Sequence, residues 1–295
     1  MNPKSKSRKV ALIILLGLVV ATVAFWSLRP PEPVYQGKRL SVWLRELDNA
    51  SLTVDSHNRA VEAVRQIGSN GVPILIEMLH SSDSWLKRKL IELAGKQSWI
   101  RFHFTTAKER RSRAFRAIEV LGPAAHAAIP TLMELLNDND LETWPKAMIC
   151  LAGIGPEAML PLIQAMTNAT PQVRGRAIIG LGMLSCNAQA AVPALVQRLE
   201  SDRDDRVRAC AANALGLIRK EPQVVVPNLI KNLRDANPTI RAQVALALGM
   251  YGAEAKAACS VLVELDRDED QFVRDAAAKA LKEIDSETAV EAGVQ

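Results

Sequence analysis

Internal repetition constrains this chain more than any other feature. Val173-Arg174, Val207-Arg208, Ile240-Arg241 and Val273-Arg274 recur at intervals of 34, 33 and 33 residues. Each pair opens an Ala- and Leu-rich stretch. Gly182, Gly216 and Gly249 close three of these stretches, and Gly122 and Gly153 do the same earlier. A second apolar stretch follows, with a proline at Pro130, Pro161, Pro193 and Pro227, spaced 31, 32 and 34. Acidic turns then lead onward, as at Asn137–Asp140, Asp202–Asp205 and Asp266–Asp270. The pattern predicts helix pairs. Glycine supplies the left-handed residue that ends a first helix. Proline opens the second, where no N–H is needed. An acidic residue caps the next, whose first turn favours negative charge. One such pair cannot bury its own apolar face, so neighbours must stack. Apolar residues make up 48% of the chain and aromatic ones only 4%, which excludes wholesale disorder and disfavours a β-sandwich or barrel.

The Val-Arg-x-x-Ala openings, Leu-Gly closings and Pro-x-Leu starts resemble the HEAT-like repeats of bacteria, including the short type named for phycobilisome lyases. The resemblance runs over residues 56–285, and His57–Ser82 is its first pair, with Gly68 and Pro73 in place. It implies an all-α fold, an α-α superhelix of HEAT-like or armadillo type, with six or seven repeats in a domain spanning 40–285. It implies binding along a surface and no single activity. Some relatives assist chromophore attachment, which leaves a bilin-lyase-like enzyme or chaperone as an alternative. The resemblance also implies that the ladder Arg174, Arg208, Arg241 and Arg274 pairs with turn acids, for which Asp204, Asp235 and Asp270 are placed. It puts the second helices on the concave side. Their polar positions Glu134, Gln164, Gln197, Lys231 and Glu264 would then form a broad groove for a protein segment.

Residues 1–9 form a basic tail, and Val10–Leu28 follows as nineteen residues without a charge. At about 1.5 Å per residue that is a helix of roughly 28 Å, matched to a bilayer core of about 30 Å. Cations before it keep the tail cytoplasmic, so the repeat domain is expected to be periplasmic or otherwise extracytoplasmic. The alternative is a secreted protein after cleavage at the poor small-residue site Thr22-Val23-Ala24. Residues 29–39 read as a Pro-rich linker, through Pro30, Pro31 and Pro33. The formal charge of +5 is carried entirely by Lys4, Lys6, Arg8, Lys9 and Arg29. The remainder is neutral, so the net charge offers nothing in favour of nucleic acid.

The period breaks between Ser84 and Arg113, with a basic insertion near residues 94–112. Residues 87–116 hold ten cations (Lys87, Arg88, Lys89, Lys96, Arg101, Lys108, Arg110, Arg111, Arg113 and Arg116) against Glu92 and Glu109. Trp99, Phe102 and Phe104 interleave with them. This segment reads either as a solvated insertion or as a contact for an acidic protein or an anionic lipid surface. The extracytoplasmic address argues against nucleic acid. Partner-binding candidates are therefore Lys87, Arg88, Lys89, Trp99, Arg101, Lys108, Arg110 and Arg111 here, and Glu134, Gln197 and Lys231 on the second helices.

Other constellations carry no chemistry. His57, His80, His103 and His126 are 23 residues apart, out of step with the repeat, and form no metal motif. Cys150, Cys186, Cys210 and Cys259 contain no Cys-x-x-Cys. Gly153-Ile154-Gly155 lacks the strand a dinucleotide fingerprint needs and reads as a turn between helices. No catalytic residue, metal site or cofactor is singled out. Residues 286–295 read as a polar tail. The reading that follows is a non-catalytic, membrane-anchored adaptor. Intact mass spectrometry of membrane-extracted protein is expected to find residues 1–29 retained; a chain beginning at Phe25 would show cleavage instead.

Overall fold

The computed structural model describes residues 31–49, 53–96 and 105–293. The basic tail, the Val10–Leu28 span, Trp99, Arg101, Phe102, His103 and Phe104 lie outside these.

A two-stranded antiparallel hairpin, β1 (Val34–Tyr35) and β2 (Lys38–Arg39), opens the described chain. Gln36 and Gly37 turn it with φ of 48° and 74°, the two positive values a tight hairpin turn requires. The stretch read as linker thus ends in ordered structure. It is held to helix α1 (Leu40–Asp48), where the Trp43 indole donates to the Tyr35 carbonyl at 3.1 Å and Lys38 Nζ lies 4.3 Å from the Trp43 ring. Leu40, Trp43, Leu44 and Leu47 are buried, so α1 caps the first repeat.

Six helix pairs follow. They are α2 (Val54–Ile67) with α3 (Val72–Leu79), then, after α4 (Trp85–Lys96), α5 (Ala107–Leu121) with α6 (Ile129–Leu135). Next come α7 (Thr143–Ile154) with α8 (Met159–Ala165), α9 (Pro171–Leu184) with α10 (Val192–Ser201), α11 (Asp205–Ile218) with α12 (Pro222–Asn232), and α13 (Pro238–Tyr251) with α14 (Cys259–Leu265). Helix α15 (Gln271–Ile284) ends the stack. The stretch read as a polar tail begins with a short helix, α16 (Ser286–Glu291), capped by Asp285 and anchored by buried Ala289.

Successive first helices, α9, α11, α13 and α15, pack directly on one another. The glycines explain how, and correct their expected role. The residues that end first helices with positive φ are Gly68, Gly122, Gly155, Ser185, Arg219 and Gly252. Gly182, Gly216 and Gly249 lie inside their helices. A Cβ on Gly182 would meet the Ala214 Cα at 3.3 Å, one on Gly216 the Ala247 Cα at 2.9 Å, and one on Gly249 the Ala280 Cα at 3.1 Å. Glycine costs about 1 kcal/mol against alanine inside a helix. Here it lets neighbouring backbones approach. The prolines also differ at one place. Pro73, Pro130 and Pro193 sit in the first turn of α3, α6 and α10, whereas α12 starts at Pro222 and holds Pro227 internally.

Helix α4 leaves the stack. Asp83 accepts from the Ala107 amide at 2.8 Å and from Lys87 Nζ at 2.6 Å, and Lys87 also donates to the Thr105 carbonyl at 2.6 Å. The turn after α3 is thereby joined to the start of α5. Gly68 and Gly122 are 54 residues apart and Gly122 and Gly155 are 33, an excess that equals residues 84–104.

Two further stretches, Pro171–Ser201 and Pro238–Leu265, are long and apolar enough to cross a membrane by length and composition, with mean hydropathies of 1.4 and 1.3. Each contains a residue of positive φ, Ser185 or Gly252, which no single spanning helix accommodates. Their hydropathy is that of a core shared between repeats.

Gly216→Ala is expected to lower the melting temperature, by about 1–3 kcal/mol of stability, because Ala247 backbone cannot yield. Gly153→Ala, with nothing within 4 Å of the new Cβ, is expected to leave it unchanged or raise it. Thermal unfolding followed by circular dichroism checks both.

Candidate functional site

The turns between pairs share one construction. Asp138, Asn168, Asp202, Asp235 and Asp268 each accept, through a side-chain oxygen, the backbone N–H two residues on, at 2.8–3.0 Å. Two residues further along, Asp204, Asn237 and Asp270 cap α11, α13 and α15. The ladder arginines reach the first residue of this motif. Arg174 pairs with Asp202 through two parallel bonds of 2.8 and 2.6 Å, and Arg241 with Asp268 through bonds of 2.9 and 2.7 Å. Arg208 lies 3.4 Å from Asp235 and 2.8 Å from Asp205. Of the three expected acids, Asp235 is a partner, whereas Asp204 and Asp270 are occupied as helix caps. The true partners sit two residues earlier.

Each arginine also uses a third N–H on its own turn. Arg174 Nη1 donates to the carbonyls of Asn168 and Ala169, and Arg241 Nη1 to those of Asp235 and Ala236. One guanidinium therefore ties two successive turns, using the fixed fork that lysine lacks. Arg274, with no following repeat, bonds the Asp268 and Glu269 carbonyls and the Gln271 side chain. The third pair departs from the rule. Counting back from the C-caps puts Trp144 at the ladder position, and its partner turn carries Asn168 in place of an acid. Arg176 substitutes, donating to the Leu136 and Asp138 carbonyls at 2.7 and 2.8 Å with its guanidinium 4.6 Å from the Trp144 ring centre.

The basic segment looks different in space. Lys87 is paired with Asp83, Lys108 with Glu142 at 2.7 Å, Arg110 with Asp83 at 3.6 Å and Arg111 with Asp138 at 4.0 Å. Arg113 and Arg116 both reach Asp48 at 3.3 Å, at the end of α1. Four acids from outside the segment, Asp48, Asp83, Asp138 and Glu142, thus pair six of its ten cations. Arg88 and Lys89 are exposed and carry no ion pair among the described residues.

The second-helix positions Glu134, Gln164, Gln197, Lys231 and Glu264 are all exposed. Ion pairs to neighbouring pairs cross this surface: Glu134 with His80 at 3.5 Å, Lys231 with Glu200 at 3.2 Å, and Glu264 with Arg234 at 3.3 Å. Pairs this exposed contribute little stability and leave the groups accessible.

A second surface had not been read from the sequence. Met183, Leu217 and Met250 each follow one of the packing glycines. Leu217 Cδ1 lies 3.2 Å from the Cβ position of Gly182, and Met250 Sδ 2.9 Å from that of Gly216. Leu217 and Met250 thus each lean on the first helix of the preceding pair, and Ile179, one turn before Met183, and Ile149 on α7 extend this row of exposed apolar residues along the first helices. Ile149, Ile179, Met183 and Leu217 are all 37–43% exposed. At the front of the row, a cleft of about 280 Å³ opens between α5 and α7, lined by Phe115, Arg116, Glu119, Lys146, Ile149 and Cys150. The signal that would have found the row was the residue after each Leu-Gly.

Burial pushes the Cys150 thiol up to about 12, and all four cysteines are free thiols. Among the described residues, no three His, Cys, Asp or Glu side chains gather as metal ligands. Residues 153–158 form the end of α7, Gly155 with φ of 95° and a short 3₁₀ turn.

Residues 159–226 and 226–292 match the family described as HEAT repeats. HEAT repeats thus occupy residues 159–292. Among solved structures, the karyopherin Kap121p bound to the SUMO protease Ulp1p is 15% identical with a TM-score of 0.50, over 86% of this chain and 30% of its own length. That likeness shows the solenoid fold. The complex of CpcE and CpcF of phycocyanin lyase from Nostoc is 22% identical, covering 52% of this chain and 98% of its own, with a TM-score of 0.48. Human deoxyhypusine hydroxylase is 17% identical with a TM-score of 0.37, covering 84% and 96%. No curated protein matches the chain.

The carboxyls of Asp202 and Asp268 are held below their ordinary value. At Asp268 the Arg241 guanidinium lowers it against the opposing effect of burial. At Asp202 burial is the largest influence and raises it, and the Arg174 guanidinium, the Asp204 amide and Arg198 together outweigh burial. A depressed folded value means stability that is fully present above the unfolded value of about 3.9 and lost as pH falls through the folded one. The D202N/D268N variant is expected to lose about 2 kcal/mol per site at neutral pH and to show a shallower loss below about pH 4. Urea unfolding across that range measures both.

Proposed function

We propose that this protein is a membrane-anchored, non-catalytic scaffold whose solenoid holds a protein partner. The exposed apolar row of Ile149, Ile179, Met183 and Leu217 carries the reading. A single exposed leucine needs no explanation, but exposed apolar residues on the first helices of three successive repeats favour a docking surface. Methionine suits such a role, because its unbranched, polarisable side chain adapts to different contact shapes. The row favours a partner segment with apolar side chains at helical spacing, laid across successive first helices. The charged second-helix surface, with Glu134, Gln197 and Lys231, is the second candidate, suited to a polar segment.

Anchoring rests on the nineteen uncharged residues Val10–Leu28 and the cations before them. This topology places the repeats outside the cytoplasm, with the hairpin and α1 nearest the bilayer. Absence of turnover belongs to the same proposal: the conspicuous charged groups are engaged in holding turns together, and the row itself is apolar.

Affinity purification of the detergent-solubilised full chain, read by mass spectrometry, is expected to yield a stoichiometric partner. The variant M183E/L217E should weaken that complex by about tenfold or more, as for apolar anchors at an interface, with an unchanged melting temperature. Lys231→Glu should leave it intact. The reverse outcome moves the site to the second helices, and retention of the partner in both variants rejects both surfaces.

A further inference from the structure

Helix α4 exposes an apolar face that the solenoid does not use. Leu86, Leu90 and Leu93, at successive i, i+4 and i+7 positions, are 61%, 45% and 58% exposed, and Trp85 beside them is 66% exposed. Such spacing puts the three leucines in one stripe along the helix. Lys87 and Ile91 face the other way and are half-buried, and Lys87 fastens the first turn to Asp83 and the Thr105 carbonyl. Arg88 and Lys89, on the remaining outward side, are the exposed cations of this segment that have no ion pair among the described residues.

We propose that α4 lies in the headgroup region of an anionic bilayer, with Leu86, Leu90 and Leu93 inserted and Arg88 and Lys89 against lipid phosphates. Three observations on this chain select a lipid surface as the occupant. The helix combines an apolar stripe with unpaired cations, the composition of helices that lie in an interface. Its place in the fold is at the end where the anchor segment joins: α4 branches from the junction of the first two pairs, and α5 at that junction is tied by Arg113 and Arg116 to Asp48 at the end of α1. Only residues 29–33 separate the uncharged span from the hairpin that precedes α1, a reach of at most about 18 Å when extended. A single span fixes the distance of the domain from the membrane but not its rotation about that tether. A second contact at α4 sets the rotation, and with it the direction in which the first-helix row faces. The inference rests on the anchoring part of the function proposed above and is independent of which surface binds protein.

Hydrogen–deuterium exchange of the full chain, reconstituted in vesicles, tests it. Amides of residues 85–96 are expected to exchange about tenfold more slowly in an equal mixture of phosphatidylcholine and phosphatidylglycerol than in phosphatidylcholine alone, and high salt should remove most of the difference. L86E/L90E should abolish the protection at an unchanged melting temperature, since neither side chain is buried. R88E/K89E should abolish the preference for the anionic vesicles. Equal exchange in the two vesicles overturns the proposal. So does protection in neutral vesicles that grows with protein density, which would assign the stripe to a second copy, or full protection at the lowest density in neutral vesicles, which would mean that the chain covers the stripe itself. A negative result here with a captured partner that depends on Met183 and Leu217 leaves the scaffold reading standing.

Discussion

The structure depends on the bond that a guanidinium makes between successive turns. A helix pair of this size has more apolar surface than it can bury, and stacking hides that surface without setting how one pair is rotated on the next. Arg174, Arg208 and Arg241 remove that freedom. Each holds carbonyls of its own turn and the carboxylate of the following one, so the turn geometry of each repeat is referred to its neighbour's. The carboxylate in turn accepts an amide two residues on, which shapes the turn that caps the next helix. Packing of the first helices through Gly182, Gly216 and Gly249 then becomes possible at backbone distance, because the orientation is already set.

The period, the helix pairs and the arginine ladder were legible because each leaves residues at fixed spacing. What failed was resolution within a motif. Asp204 and Asp202 are equally acidic and two residues apart, and only three-dimensional placement tells the cap from the ion-pair partner. Glycine has two separate uses, positive φ and close approach, and composition cannot distinguish Gly182, which needs the second, from Gly122, which has the first. Ser185 and Arg219 adopt positive φ without being glycine, so those C-caps carried no signal.

The basic segment shows the same limit in electrostatics. Charge counted along a window is not charge on a surface. The acids that neutralise Lys108, Arg111, Arg113 and Arg116 come from Glu142, Asp138 and Asp48, far away in sequence. The apolar stripe of α4, Leu86, Leu90 and Leu93, falls within the stretch where the repeat period breaks. Its exclusion follows from Asp83 bonding the Ala107 amide, a contact across 24 residues that no local pattern announces.

The Trp144 joint has a mechanical meaning. At Arg174 and Arg241 a two-pronged ionic bond resists twisting between neighbours. Between the third and fourth pairs the link is one nitrogen of Arg176 on two carbonyls, beside an asparagine where the other turns have an acid. A joint held through neutral carbonyl acceptors is weaker than one held by a two-pronged ion pair. The apolar row runs across that joint, with Ile149 on one side and Met183 and Leu217 on the other. A ligand lying along the row would therefore cross the one joint of this stretch that lacks an ionic bond between turns.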